Sequence, residues 1–131
     1  MNESAHETAA GFTFLSAPAD YRDASALVVR IPRGIRSKRK LLAIYADKLR
    51  FPNYFGWNWD AFEECLSDLS WLPDGTCVAI IHEDLPFGSG GANRGIYLSV
   101  LSDVVRRRPT VCVILPTTVR DQFTLAATPP R

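Results

Sequence analysis

The chain is poor in the residues from which most enzyme and metal sites are built. Its 131 residues include two histidines and three cysteines. His6 lies in a terminus that reads as frayed and His82 at a strand end, so no Ser-His-Asp set assembles. The cysteines, Cys65, Cys77 and Cys112, are odd in number and far apart, with no Cys or His spacing for zinc. All three stand among apolar residues, which suits buried reduced thiols and makes a reducing cytoplasm the simplest setting. No apolar run approaches the length of a membrane span. The start, Met1 to Glu7, is polar and acidic and lacks the basic and apolar regions of a secretory signal. Gly88, Gly90, Gly91 and Gly95 are not followed by the Lys-Ser/Thr of a phosphate loop. Neither a metal nor a cofactor is expected, and there are no internal repeats.

What the chain does have is charge sorted into blocks. The formal net charge is +1. Arg30 to Arg50 carries eight Lys/Arg and one Asp. Phe51 to Asn93 carries seven Asp/Glu and no Lys or Arg, and Arg94 to Arg131 is basic again. The acidic block centres on an aromatic loop, which puts a surface made for a cationic partner on an even footing with charges that merely intersperse in space.

Periodicity places the elements. Ala26–Ile31, Cys77–Ile81 and Val111–Leu115 are short, β-branched and apolar, as buried strands are. Ser37 is a good cap for a helix reaching about Arg50, with Leu41, Leu42, Ile44, Tyr45 and Leu49 inward. Phe51-Pro52 stops it, and Gly56 is expected to turn with positive φ. Asn58 can cap a second helix over about Trp59–Leu69, whose inward stripe is Phe62, Cys65, Leu66 and Leu69. A third helix over about Arg94–Arg108 has Ile96, Tyr97, Val100, Leu101 and Val104 at helical spacing. Strands alternating with helices indicate an α/β fold: a small parallel sheet of three strands with right-handed crossovers, packed with about three to four helices. Phe12–Leu15 fits either a short strand or a packed appendage, and the sequence leaves both open. The expected organisation is a partly flexible extension over 1–25, a domain over 26–115 and a loose tail over 116–131.

The second helix carries the chemistry. Asp60 and Glu64 are four apart and share a face, with Glu63 beside them and Asp68 a turn further. Asp60 suits the positive end of the helix dipole, but Asp60 and Glu64 repel each other, and a cationic partner would offset that repulsion. Tyr54, Phe55, Trp57 and Trp59 cannot all be buried behind one short loop, so at least one or two are expected at the surface as interface anchors. Two acids on one convex helix face do not form the cleft a paired-carboxylate hydrolase needs. The chain is therefore read as a binding protein and not as an enzyme.

The run Pro52-Asn-Tyr-Phe-Gly-Trp-Asn-Trp-Asp-Ala-Phe-Glu-Glu-Cys-Leu66 resembles the barstar family of intracellular ribonuclease inhibitors. In element order the similarity extends from about Ala26 to Leu115. The resemblance implies a barstar-like fold and a partner that is a small cationic ribonuclease, whose active site the second helix and its preceding loop would plug by mimicking phosphate. It assigns Tyr54 to the aromatic that packs on the enzyme, with Trp57 in the same loop. Gly56 and Asn58 correspond to the loop glycine and the cap, and Asp60 to an interface aspartate. Glu64 stands at the position of the main blocking acid, and Asp103 in the third helix aligns with another interface acid. The chain departs from the family pattern at Glu63, which replaces an interface tryptophan, and at Arg107, which replaces an acid.

Two other readings stay open on sequence. One is the same scaffold serving a partner that is not a nuclease. The other is RNA binding through Arg33, Arg36, Lys38, Arg39 and Lys40. The second is disfavoured, because the aromatics lie in the acidic block and are not interleaved with these cations. The basic run reads instead as a solvated helix face.

Overall fold

In the computed structural model, residues 7–9, 11–88 and 91–119 are described. The strands are β1 (Glu7–Ala9), β2 (Phe12–Leu15), β3 (Ala26–Ile31), β4 (Cys77–His82) and β5 (Val111–Pro116). The helices are α1 (Lys38–Leu49), α2 (Trp59–Asp68) and α3 (Asn93–Arg107). Short 3-10 turns lie at Pro18–Asp20 and Thr117–Val119.

The sheet is larger than the three strands expected from sequence. It has five, in the order β1-β2-β5-β4-β3, of which β2, β5, β4 and β3 run parallel and β1 antiparallel. The reason lies in Phe12 and Phe14. They alternate with Thr13 and Leu15, so both rings point to the helix side, where both are fully buried. The chain then crosses the far side of the sheet to reach β3 at the opposite edge. Residues 7–9 are therefore paired backbone where a frayed terminus was expected; residues 1–6, including His6, and the tail from residue 120 lie outside the described residues.

All three helices pack on one face. Leu41, Leu42, Tyr45 and Leu49 of α1, Phe62, Cys65 and Leu66 of α2, and Tyr97, Leu98, Val100, Leu101 and Val104 of α3 meet Val29, Ile31, Val78, Ile80, Val111, Val113 and Leu115 of the sheet. The inward stripe of α3 includes Leu98, while Ile96, expected inward, is 39% exposed. On the opposite face Ala79, Ile81 and Ile114 form a small second cluster, against which Tyr21 and Leu15 pack. Cys77 and Cys112 start β4 and β5, beyond that cluster, and are exposed; only Cys65 is a buried thiol.

Under α2 the core is aromatic and carries one polar chain. Phe62 lies edge-on to Tyr45, at 4.7 Å between centroids, and stacks on Tyr97 at 6.2 Å. The Tyr45 and Tyr97 hydroxyls are 2.5 Å apart. His82 Nε2 is 2.7 Å from the Tyr97 hydroxyl, and His82 Nδ1 is 3.1 Å from the Ile114 carbonyl. One assignment satisfies every atom: Nδ1–H donates to Ile114, Tyr97 donates to Nε2, and Tyr45 donates to Tyr97. That arrangement requires a neutral imidazole. Burial agrees, holding the His82 pKa down at about 4 and raising those of both tyrosines. His82 is thus a structural residue.

Candidate functional site

Two caps set up the surface that α1 and α2 present. Ser37 Oγ accepts from the Lys40 amide at 3.2 Å and opens α1. Arg50, in the left-handed region, ends it, and the Trp71 indole donates to the Leu49 carbonyl at 2.8 Å. Phe51 turns inward against Phe55 and Trp71. Six residues of loop follow, and then Asn58 Oδ1 accepts from the Ala61 amide at 2.8 Å to open α2.

The loop bends differently from the expectation. Positive φ falls on Trp57, at 57°, and not on Gly56. Space is tight at Gly56: a Cβ there would sit 3.1 Å from the side-chain Nδ2 of Asn58, which would have to shift. The same nitrogen donates to the Gly56 carbonyl at 3.3 Å. Trp57 is held in its strained conformation by Phe55, 5.0 Å away between centroids, and by the Arg39 guanidinium 4.4 Å from its ring. Trp59 tucks against Phe62 and donates to Asn93 Oδ1 at 3.2 Å, tying the start of α2 to the start of α3.

Of the four loop aromatics, one is left for a partner. Tyr54 is 75% exposed, Phe55 is buried, and Trp57 and Trp59 are half-buried. Tyr54 shares an open depression with Glu64, Cys65 and Asp68. Burial first, then the nearby charges of Glu64 and Asp68, raise the Cys65 thiol pKa, which suits an unreactive thiol at the floor.

The acids of α2 divide into two flanks. At about 100° per residue, Asp60 lies at the crest, Glu64 and Asp68 turn toward Tyr54, and Glu63 and Ser67 turn the other way. Asp60 and Glu64 are exposed and have no cationic partner among the described residues; Asp68 accepts only from the Ser70 hydroxyl, at 3.2 Å. On the other flank Glu63 accepts from Arg107 at 2.7 Å, and Arg107 also donates to Ser67 at 3.3 Å. Asp103 is held by Arg106 on its own helix. The predicted residues Tyr54, Asp60 and Glu64 are thus together and open, Gly56, Trp57 and Asn58 shape the loop beside them, and Glu63 and Asp103 are occupied within the chain.

Sequence reasoning missed three contacts. The Arg39–Trp57 contact and that of Lys38 Nζ, 5.8 Å from the Trp59 ring, bring the basic block against the aromatic loop. Cations and aromatics are therefore adjacent in space though separate in sequence, and Lys38 is half-buried instead of solvated. The Glu63–Arg107 pair was also unseen, although Glu63 and Ser67 at i and i+4 mark a polar flank beside the buried stripe.

The sequence model of one family, Barstar (barnase inhibitor), matches residues 26–115, more than two thirds of the chain. The chain belongs to the Barstar family. Comparison with curated proteins and with solved structures returned no match. The family match includes α1, the loop, α2 and α3, and so every residue of the surface described above. Membership carries a description of the family as inhibitors of a ribonuclease and an α/β fold with a parallel sheet, which is the fold seen. No helix among the described residues is long and apolar enough to cross a membrane.

Proposed function

We propose that the chain inhibits a small basic ribonuclease by laying the 52–58 loop and the exposed face of α2 into the enzyme's active site. Asp60 and Glu64 would take the places of substrate phosphates among the enzyme's cations, and Tyr54 would pack on the rim of the cleft. Gly56, Asn58 and the Trp57–Arg39 contact hold the loop in place. The observation that carries this reading is the pairing of family membership with an α2 whose Asp60 and Glu64 point outward with no cationic partner among the described residues. A cationic cleft would relieve the mutual repulsion of these acids, and burial there would strengthen each charge-assisted hydrogen bond. The role is that of an immunity protein, acting in the cytoplasm on a toxin-like nuclease.

RNA binding by the basic end of α1 is a weaker reading. The ring of Trp57 is engaged by Phe55 and Arg39, so it is not open for a base to stack on. The test is inhibition of RNA cleavage by barnase and other small basic ribonucleases at rising RNA concentration. Competitive inhibition is expected, since the carboxylates and substrate phosphates would claim the same cations. Inhibition that RNA cannot relieve places the contact away from the active site and defeats the proposal.

A further inference from the structure

The ion pair between α2 and α3 lies beside the proposed binding face, and it divides that face electrically. Glu63 and Asp103, both half-buried, are matched one for one by Arg107 and Arg106. That ridge is neutral in sum. The crest and flank holding Asp60, Glu64 and Asp68 carry three negative charges and, among the described residues, no paired cation. The boundary between the two runs along α2 itself, because Glu63 and Glu64 are neighbours in sequence and point about 100° apart. Arg107 does not vanish into its pair: its side chain is 54% exposed, against 26% for Glu63. An approaching surface therefore meets the guanidinium before it meets the carboxylate behind it.

We propose that the Glu63–Arg107 pair determines which ribonucleases the chain accepts. The inference rests on the inhibitor reading above and adds a condition to it. A partner whose cations are confined to the side facing Tyr54, Asp60, Glu64 and Asp68 is accepted. A partner that extends its cations across to α3 meets Arg107 as a like charge and is slowed or rejected. A partner with a neutral or acidic group at that point fits best. Selection of this kind works by a repulsive element placed next to an attractive one. Both pair members lie on the surface, where such pairs add little to folding, so the pair is open to variation without loss of the fold.

The experiment measures association rates with barnase at low ionic strength. It compares the wild-type chain, Arg107→Ala, Arg107→Glu, Glu63→Ala and the double Glu63→Ala/Arg107→Ala form, with Asp60→Ala and Glu64→Ala as reference variants. Removing one charge at this range should alter the rate by roughly two- to fivefold. Arg107→Ala should associate faster and Arg107→Glu faster still. Glu63→Ala, which leaves Arg107 uncompensated, should associate more slowly, and the double variant should return near wild type. A pair with a merely structural role would give both single variants the same sign. Equal rates for all Glu63 and Arg107 variants, while Asp60→Ala and Glu64→Ala weaken binding, would overturn this inference alone. If Asp60→Ala and Glu64→Ala also bind like wild type, or if no form binds, the inhibitor reading falls with it.

Discussion

The inner and outer faces of α2 are built on opposite terms. Inside, Phe62, Cys65 and Leu66 are buried, and the polar atoms beneath them on Tyr45, Tyr97 and His82 form one chain that ends on the Ile114 carbonyl. Outside, Asp60 and Glu64 have no ion-pair partner among the described residues and Tyr54 stands clear of the core. One face is satisfied within the chain, and the other is left open to solvent. On the proposed reading, folding and binding are carried by different side chains of a single ten-residue helix.

That separation can be broken from the inside first. Phe62→Ala should have the largest effect, about 3–5 kcal/mol of stability, because it empties the centre of the aromatic cluster. Urea unfolding checks it, and a loss under 1 kcal/mol would mean that the cluster does not anchor α2. The next effect is pH. Above the usual histidine pKa of 6.5 His82 is neutral in both folded and unfolded chains, so it contributes no pH dependence. Below 6.5 the unfolded chain takes up a proton that the fold excludes down to about 4. Stability should therefore fall as pH drops through this window, by roughly 3 kcal/mol in all. His82→Gln keeps a donor and an acceptor and should unfold with a shallower slope between pH 6.5 and 4; an unchanged slope would remove His82 as the cause.

Asn58→Ala tests the seam between the faces. Losing the cap bond to Ala61 should cost about 1 kcal/mol, read as a lower unfolding midpoint. It should also weaken partner binding, because the same side chain holds the Gly56 carbonyl and hence the loop. The smallest effect sharpens the comparison most. Glu64→Ala should leave stability within about 0.5 kcal/mol of wild type, since nothing in the fold depends on it. A larger loss of stability would show that the outer face also serves the fold.

Much of this was legible in the sequence because it is local. The caps Ser37 and Asn58, the apolar stripes of α1 and α2 and three strands follow from short-range chemistry. The split between inward Phe62, Cys65 and Leu66 and outward Asp60 and Glu64 follows from helical period alone. What was not legible depends on distant parts of the chain. Phe12 and Phe14 became a strand because β5 offered an edge, and their four-residue run carries no signal of that partner. Cys77 and Cys112 looked buried because their neighbours are apolar, but they project from the sheet face opposite α1, α2 and α3. The positive φ moved from Gly56 to Trp57 because contacts with Phe55 and Arg39 outweigh a local strain of about 1 kcal/mol or more. Arg107 and Glu63 are 44 residues apart, and nothing in either helix names the other.

On the inhibitor reading, Asp60 and Glu64 bind a ribonuclease without supporting the fold. The most direct measurement is the dissociation constant of the Asp60→Ala/Glu64→Ala double variant for barnase, set beside its unfolding midpoint. Truncating carboxylates that face buried cations costs several kcal/mol of binding. That magnitude is the one measured in complexes of this kind, barstar with its ribonuclease among them, and is not read from this structure. The expected result is a loss of at least about a hundredfold in affinity, with unfolding shifted by no more than a few degrees. Wild-type affinity in the double variant would contradict it, and so would a loss of affinity that merely follows a collapse in stability.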